Sequence, residues 1–132
     1  MSARYLPSVA ASLIWLATPA KADCFRYGDL VTLSGIVAEA LYPEEPDYES
    51  VKGGDAPAWR FVLLLYEPIC TVANDMGGAV PAINALQVNC DAAGYATIRK
   101  NLGEGQSISG TLEPALTGHH HTAVMLTCKA LM

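Results

Sequence analysis

The chain has 132 residues, of which 13 are acidic and eight are Lys or Arg, and its net charge is −5. This length fits one domain with a modest core. The acidic balance excludes a typical nucleic-acid binder, because such proteins gather Lys and Arg on one face. It also disfavours a membrane surface as a partner.

The first 22 residues have the pattern of a secretory signal peptide. Arg4 supplies a positive charge, an apolar run extends from Val9 to Ala17, and Ala20-Lys21-Ala22 forms an A-x-A cleavage site. The run is shorter than the roughly 20 residues that a transmembrane helix needs. We therefore predict cleavage before Asp23 and a mature domain in the bacterial periplasm or outside the cell. Cleavage leaves six basic residues against 13 acidic ones, a net charge of −7.

The mature part, residues 23–132, has the pattern of five strands and one helix. Strands are predicted where β-branched and large apolar residues cluster, and the helix where apolar residues recur every three or four positions. Gly35 predicts a bulge or bend in the first strand, and Glu67-Pro68 predicts the end of the second. The predicted strands are 30–41, 59–66, 83–89, 107–112 and 121–129, the predicted helix is 92–102, and an acidic, Pro-containing loop occupies 44–55.

This order predicts an all-β fold with one helix, a five-stranded OB-fold-like barrel of order β-β-β-α-β-β. A β-sandwich is the alternative, although it would leave the single helix unexplained. No internal repeat is visible. We expect a monomer.

Four cysteines in an exported chain predict two disulfides. The count alone allows three connectivities, but the barrel order selects one. The first two strands are antiparallel neighbours, which brings Cys24 near Cys70. The third and fifth strands pair in parallel, which brings Cys90 near Cys128.

The segment from Thr117 to Thr122 (Thr-Gly-His-His-His-Thr) is followed by Ala-Val-Met-Leu-Thr. Here most strongly, and in several other segments, the chain resembles the bacterial DUF4431 family, a domain of unknown function. It departs near Trp59, where the family more often has an aromatic pair, and in the short linker 71–82. The resemblance supports the Cys24–Cys70 pairing and the exported location, and it implies no reaction or substrate. Other matching segments are Val31 to Gly35, Asp47 to Ser50, Glu67 to Cys70 and Gly110 to Leu112.

The histidine run His119-His120-His121 is the first candidate site. On a strand, His119 and His121 would point one way and His120 the other. Two imidazoles spaced in this way can chelate zinc or copper with a third ligand from elsewhere, and the acidic loop is the expected source. The alternatives are a structural turn closed by hydrogen bonds and a contact with a polar ligand or a protein.

The acidic loop is the second candidate, because it contains five acidic residues and a single basic residue, Lys52. It could be a solvated flexible loop or a clamp for a basic partner, with aromatic side chains nearby for stacking. Calcium would require a D-x-D-x-D-G pattern, which the loop does not have. The candidate ligand-binding residues of the two sites together are Tyr48, Glu49, Asp55, Trp59, His119, His120 and His121.

Catalysis has little support in the sequence. Ser50 and Ser109 lie in no G-x-S-x-G elbow, and oxidised cysteines cannot act as nucleophiles. Glu49 and Asp55 could act as paired carboxylates on a sugar, but a mobile loop makes a poor cleft. We therefore predict a binding module without a cofactor, whose partner is a basic exported protein such as a cell-wall hydrolase. A zinc- or copper-binding protein is the alternative.

Overall fold

The computed structural model describes residues 23–128. The predicted signal peptide, residues 1–22, lies outside this range. Among residues 23–128, no helix is long and apolar enough to cross a membrane. The described part consists of six strands and one short helix, which confirms the mainly β class with a single helix. The elements are β1 (Asp23–Phe25), β2 (Leu30–Pro43), β3 (Pro57–Thr71), β4 (Val80–Asn89), α1 (Ala92–Lys100), β5 (Gly105–Pro114) and β6 (Val124–Cys128).

The strands form one sheet with the order β1-β3-β2-β5-β6-β4, and β3 also pairs with β4. The pairings of β2 to β6 therefore return to their start: β2 with β3, β3 with β4, β4 with β6, β6 with β5, and β5 with β2. Only the β1–β3 and β4–β6 pairs are parallel.

The core lies between the inward faces of these strands. In β2, burial alternates from residue 30 to 37, so that Val31, Leu33 and Val37 point inward while Leu30 and Thr32 point outward. Such alternation is what a strand with one solvated face requires. The remaining core side chains come from the other strands and from Ile98 of α1, including Leu63, Leu86, Val88, Leu112 and Leu126.

Helix α1 begins and ends at recognisable signals. The Asp91 side chain accepts a hydrogen bond from the Gly94 N–H at 2.7 Å, which caps the helix. The predicted helix ran to Leu102, but it ends at Lys100 because Asn101 has left the helical conformation. Gly103 follows with a positive φ of 78°, a conformation that glycine adopts without a steric penalty.

The second strand is longer than predicted. Glu67-Pro68 does not end it, and β3 continues to Thr71. Proline cannot donate to a sheet ladder, and the β3–β4 register shifts between Leu64 and Ile69 so that the irregularity is absorbed. Beyond it, the unpredicted strand β1 pairs with β3.

The cysteines pair as expected. Cys24 lies opposite Cys70 in the β1–β3 register, with their Cα atoms 4.3 Å apart. Cys90 and Cys128 directly follow the parallel pair Asn89–Thr127 and bring their Cα atoms to 4.7 Å. The first bridge therefore lies within the β1–β3 pair, and the second lies just beyond the end of the β4–β6 pair.

Candidate functional site

The acidic loop meets the segment that contains His119 to His121 at one carboxylate. We call this segment the histidine turn. Glu44 is the first residue after β2, and it is 9% exposed. Its side chain accepts hydrogen bonds from Arg60 of β3 and from two histidines. The His119 Nδ1 lies 2.5 Å from Glu44 Oε2, and the His121 Nε2 lies 3.4 Å from Oε1. We call Glu44, Arg60, His119 and His121 the carboxylate cluster.

The state of Glu44 determines the role of each imidazole nitrogen. Burial raises the pKa of Glu44, but the hydrogen bonds from Arg60, His119 and His121, together with the Arg60 charge, outweigh it and lower that pKa to about 2. Glu44 is therefore ionised at neutral pH, and an ionised carboxylate only accepts. Nδ1 of His119 and Nε2 of His121 must each carry a proton.

The two histidines reach Glu44 by a different route from the one predicted. Residues 119–121 belong to a turn rather than a strand, and β6 begins only at Val124. The prediction of a strand from residue 121 was wrong because the backbone there is bonded to a side chain. The buried Gln87 of β4 accepts from the His121 N–H at 2.9 Å and donates to the His119 carbonyl at 3.2 Å.

Aromatic stacking holds the imidazole ring of His121 in place. The Tyr42 ring lies parallel to that of His121, with the ring centroids 4.4 Å apart. Tyr42 is at the end of β2, two residues before Glu44, so one short segment supplies both a carboxylate and a stacking ring to the same histidine. The His121 side chain is only 10% exposed.

His120 points away from the carboxylate cluster. Its Nδ1 accepts a hydrogen bond from the Leu116 N–H at 2.9 Å, and its own N–H donates to the Thr117 carbonyl. The middle histidine therefore closes the turn by hydrogen bonds, as the structural alternative predicted for the whole run.

The acidic loop is organised around Asp55. This residue is 6% exposed, and its carboxylate accepts the backbone N–H groups of Asp47, Glu49 and Ser50 at 2.8–2.9 Å. These three bonds lower the pKa of Asp55 although burial opposes them. Asp55 was predicted as a ligand-binding residue, but both of its oxygens are occupied in holding the loop.

Tyr48 connects the loop to the histidine turn. Its ring lies edge-on to that of His119, with centroids 6.1 Å apart. It also covers Gly118, where an added Cβ would come within 2.7 Å of the ring. Because Gly118 has no side chain, the two loops can pack this closely.

The other loop carboxylates face solvent. Glu45, Asp47 and Glu49 are all exposed and present negative charge at the end of the β2–β3 hairpin. We call these three residues and Tyr48 the acidic face. Burial and the carboxylates of Glu45 and Glu44 raise the pKa of Tyr48, so its phenol stays protonated.

Trp59 does not join the histidines. It pairs with Leu41 across the hairpin, whereas its neighbour Arg60 pairs with Ala40. Adjacent residues of a strand point to opposite faces, so Trp59 lies on the face opposite to the carboxylate cluster. It is 64% exposed, and Leu41 is 44% exposed. Together they form an exposed apolar patch next to the acidic loop.

Sequence reasoning missed Arg60 and Gln87. Arg60 stands in a strand that is apolar on both sides, and a lone base in such a run is a signal for a buried acidic partner. The polar Gln87 at a buried position of β4 gives a similar signal. Neither residue indicates from its position alone which loop it will contact.

The two predicted metal ligands contact the same carboxylate. Within residues 23–128, no group of three or more His, Cys, Asp and Glu side chains is arranged to hold a metal ion. The nitrogens of His119 and His121 that face Glu44 carry protons instead, and a metal ion would have to replace them.

No protein-family model matches the chain, and no curated protein matches it. The resemblance to the DUF4431 family therefore stays a prediction from the quoted segments.

Proposed function

We propose that this chain is an exported OB-fold binding module whose acidic face binds a basic protein. The fold proposal rests on the ring of pairings. With β2 to β6 taken as strands one to five, the order is 1-2-3-5-4-1, and α1 lies between the third and fourth strands. This is the arrangement of an OB-fold barrel. The acidic loop then joins strands one and two, and the histidine turn joins strands four and five.

Export is supported by two features of the chain. The first 22 residues have the composition of a signal peptide, and two cysteine pairs stand at disulfide distance. Disulfides form in oxidising compartments such as the periplasm. We therefore place the mature domain in the periplasm or outside the cell.

The observation that carries the binding proposal is the way Asp55 holds the loop. It takes three backbone amides, so the loop has a defined shape while Glu45, Asp47 and Glu49 remain exposed. A preorganised surface loses less conformational entropy on binding than a flexible one. A net charge of −7 would also attract a basic partner and accelerate the encounter.

A basic exported protein such as a cell-wall hydrolase fits this surface. The acidic face would meet its Lys and Arg side chains, and Trp59 with Leu41 would offer apolar contact at the edge. Trp and Tyr side chains are enriched among the residues that carry most of the binding energy of protein interfaces. Occupying a substrate cleft in this way would make the module an inhibitor.

Calorimetric titration with lysozyme as a basic cell-wall hydrolase tests the proposal. The variant Glu45→Gln/Asp47→Asn/Glu49→Gln is expected to lose most of the affinity, and wild-type binding should weaken as salt is raised. The matched control Glu67→Gln/Asp75→Asn/Glu104→Gln removes three exposed charges elsewhere and should bind like the wild type. If both variants lost the same affinity for lysozyme, the interaction would depend on net charge alone. That result would contradict specific binding by the acidic face.

Metal binding is the alternative function, favoured by the convergence of His119 and His121 on Glu44. A zinc or copper ion would displace the imidazole protons and would stand beside the Arg60 guanidinium, whose positive charge opposes it. Titration with zinc and copper, compared with the variant His119→Ala/His121→Ala, separates the two functions. Tight uptake that this variant loses would establish the metal site in place of the structural cluster.

A further inference from the structure

A groove opens where β2 parts from β3. The two strands pair from Pro43–Pro57 as far as Gly35–Leu65, where their pairing ends. A Cβ on Gly35 would collide with the Leu64 carbonyl, so the glycine allows the strands to cross closely and diverge. Past this point β2 pairs with β5, while the end of β3 pairs with β1.

The groove has an apolar floor. It is a cavity of about 360 Å³, and Phe25, Leu33, Leu65 and Ile69 form its floor. This volume lies within the range of small-molecule sites, roughly 300–1,000 Å³. An apolar group of a ligand could enter between the strands and be removed from water there.

The rim of the groove is polar. Thr32 and Ser34 border it from β2, and Tyr66 and Glu67 border it from β3. The Thr32 hydroxyl bonds to that of Ser109 at 2.7 Å, and Ser34 bonds to Ser107 at 2.6 Å. Each hydroxyl has one proton and two acceptor positions, so each pair keeps one proton and several lone pairs for a further partner.

Tyr66 provides a fixed aromatic surface beside these hydroxyls. It is 61% exposed, and its phenol oxygen lies against Gly105, where a Cβ would collide with it. The ring therefore has a defined place on the outer surface of the sheet although most of it faces solvent. Exposed, held aromatic rings are suited to stacking on the apolar face of a ligand.

We propose that this groove binds a neutral saccharide carrying an N-acetyl group. A sugar ring would stack on Tyr66, and its hydroxyls would bond to Thr32 and Ser34. The acetyl methyl would enter the apolar floor, and the amide N–H would donate to Glu67. The Glu67 carboxylate repels an anionic sugar or a phosphate, which restricts the ligand to a neutral one.

This site is separate from the acidic face. The groove lies at Thr32 and Ser34, whereas the acidic loop begins after Pro43, nine residues further along the same strand. At about 3.3 Å per residue, roughly 30 Å of strand separates the two. The inference therefore stands whether or not the acidic face binds a basic protein.

Amide-resolved NMR titration of the exported, oxidised protein with tri-N-acetylchitotriose tests the site. We expect saturable shifts at Phe25, Ser34, Tyr66 and Glu67, with weaker or no binding of maltotriose, which has no acetyl group. Tyr66→Ala should weaken binding about tenfold, the upper range for an aromatic contact. Trp59→Ala removes an equally exposed ring at the other end of the hairpin and should leave the affinity unchanged.

Three results would overturn the assignment. The first is an absence of saturable shifts up to millimolar sugar in a protein whose spectrum shows it folded. The second is binding whose shifts lie outside the groove or survive Tyr66→Ala. The third is equal affinity for maltotriose, which would remove the role given to the acetyl group.

Discussion

Glu44 and His119 lie 75 residues apart in the chain, yet their side chains approach to 2.5 Å. The contact connects the loop after β2 with the turn before β6. His121 reaches the same carboxylate, and Arg60 joins it from β3. The packing of the acidic loop against the histidine turn therefore depends on Glu44, a buried carboxylate that is not part of the acidic face.

Glu44→Gln is expected to destabilise the protein by on the order of 3 kcal/mol at neutral pH, because the pKa of Glu44 falls from 4.5 to about 2 on folding. A lowered pKa contributes stability above the unfolded-state value, and this contribution is lost as pH falls from 4.5 towards 2. Urea unfolding at a series of pH values measures it.

The control for this prediction is Glu45→Gln, which removes the adjacent exposed carboxylate. Surface changes of this kind alter stability by roughly 0.5 kcal/mol or less. The stabilities of wild type and Glu44→Gln should converge towards pH 2. A difference that stays constant from pH 7 to pH 2 would mean that Glu44 acts through packing rather than charge.

Gly118→Ala should separate the acidic loop from the histidine turn, because the new Cβ would meet the Tyr48 ring. Overpacking of this kind costs roughly 1–3 kcal/mol, and the ring contact between Tyr48 and His119 should be lost. Thermal unfolding and NOEs between the two rings measure the effects. Gly78→Ala is the control, since nothing lies within 4 Å of an added Cβ there. If both variants were equally stable, the packing of Tyr48 on the turn would be disproved.

Asp55→Asn should loosen the acidic loop while leaving the barrel strands intact. The neutral amide is a weaker acceptor than the carboxylate for the N–H groups of Asp47, Glu49 and Ser50. Hydrogen exchange at these three amides should accelerate, while exchange at Leu63 and Leu86 stays slow. Glu49→Gln changes an exposed carboxylate in the same loop and should not affect exchange. Unchanged protection in Asp55→Asn would contradict the role of Asp55.

Removing either disulfide should destabilise the protein by on the order of 4 kcal/mol in the chain-entropy model, since the bridges span 46 and 38 residues. The variants Cys24→Ala/Cys70→Ala and Cys90→Ala/Cys128→Ala test each bridge by urea unfolding. Reductant should lower the stability of each variant further, because one bridge remains. A variant as stable as the oxidised wild type would show that its bridge does not constrain the unfolded chain.

The sequence predicts the regular parts of the fold well because their signals are local. Clusters of apolar and β-branched residues predict strands β2 to β6, and apolar residues at three- and four-residue spacing predict helix α1. Local sequence signals predict a strand less well when the strand depends on pairing with a neighbouring strand. Strand β1 has three residues and exists through its contact with Ile69–Thr71, and β3 passes Pro68 because β4 shifts its register there.

The candidate site is predictable in part for the same reason. Acidic residues and histidines mark the two loops, and the expected strand order brings them together. The sequence does not distinguish Glu44 and Asp55 from the other three loop acids. That distinction comes from the contacts of the folded chain. Arg60, His119 and His121 surround Glu44, and three backbone amides bond to Asp55.

Mapping lysozyme binding by amide chemical shifts tests the central claim most directly. We expect the shifts on the labelled, oxidised protein to concentrate in residues 44–56, with Trp59 at the margin, and to vanish in Glu45→Gln/Asp47→Asn/Glu49→Gln. Shifts spread over the whole surface, or confined to strands remote from this loop, would contradict the acidic face as the binding site.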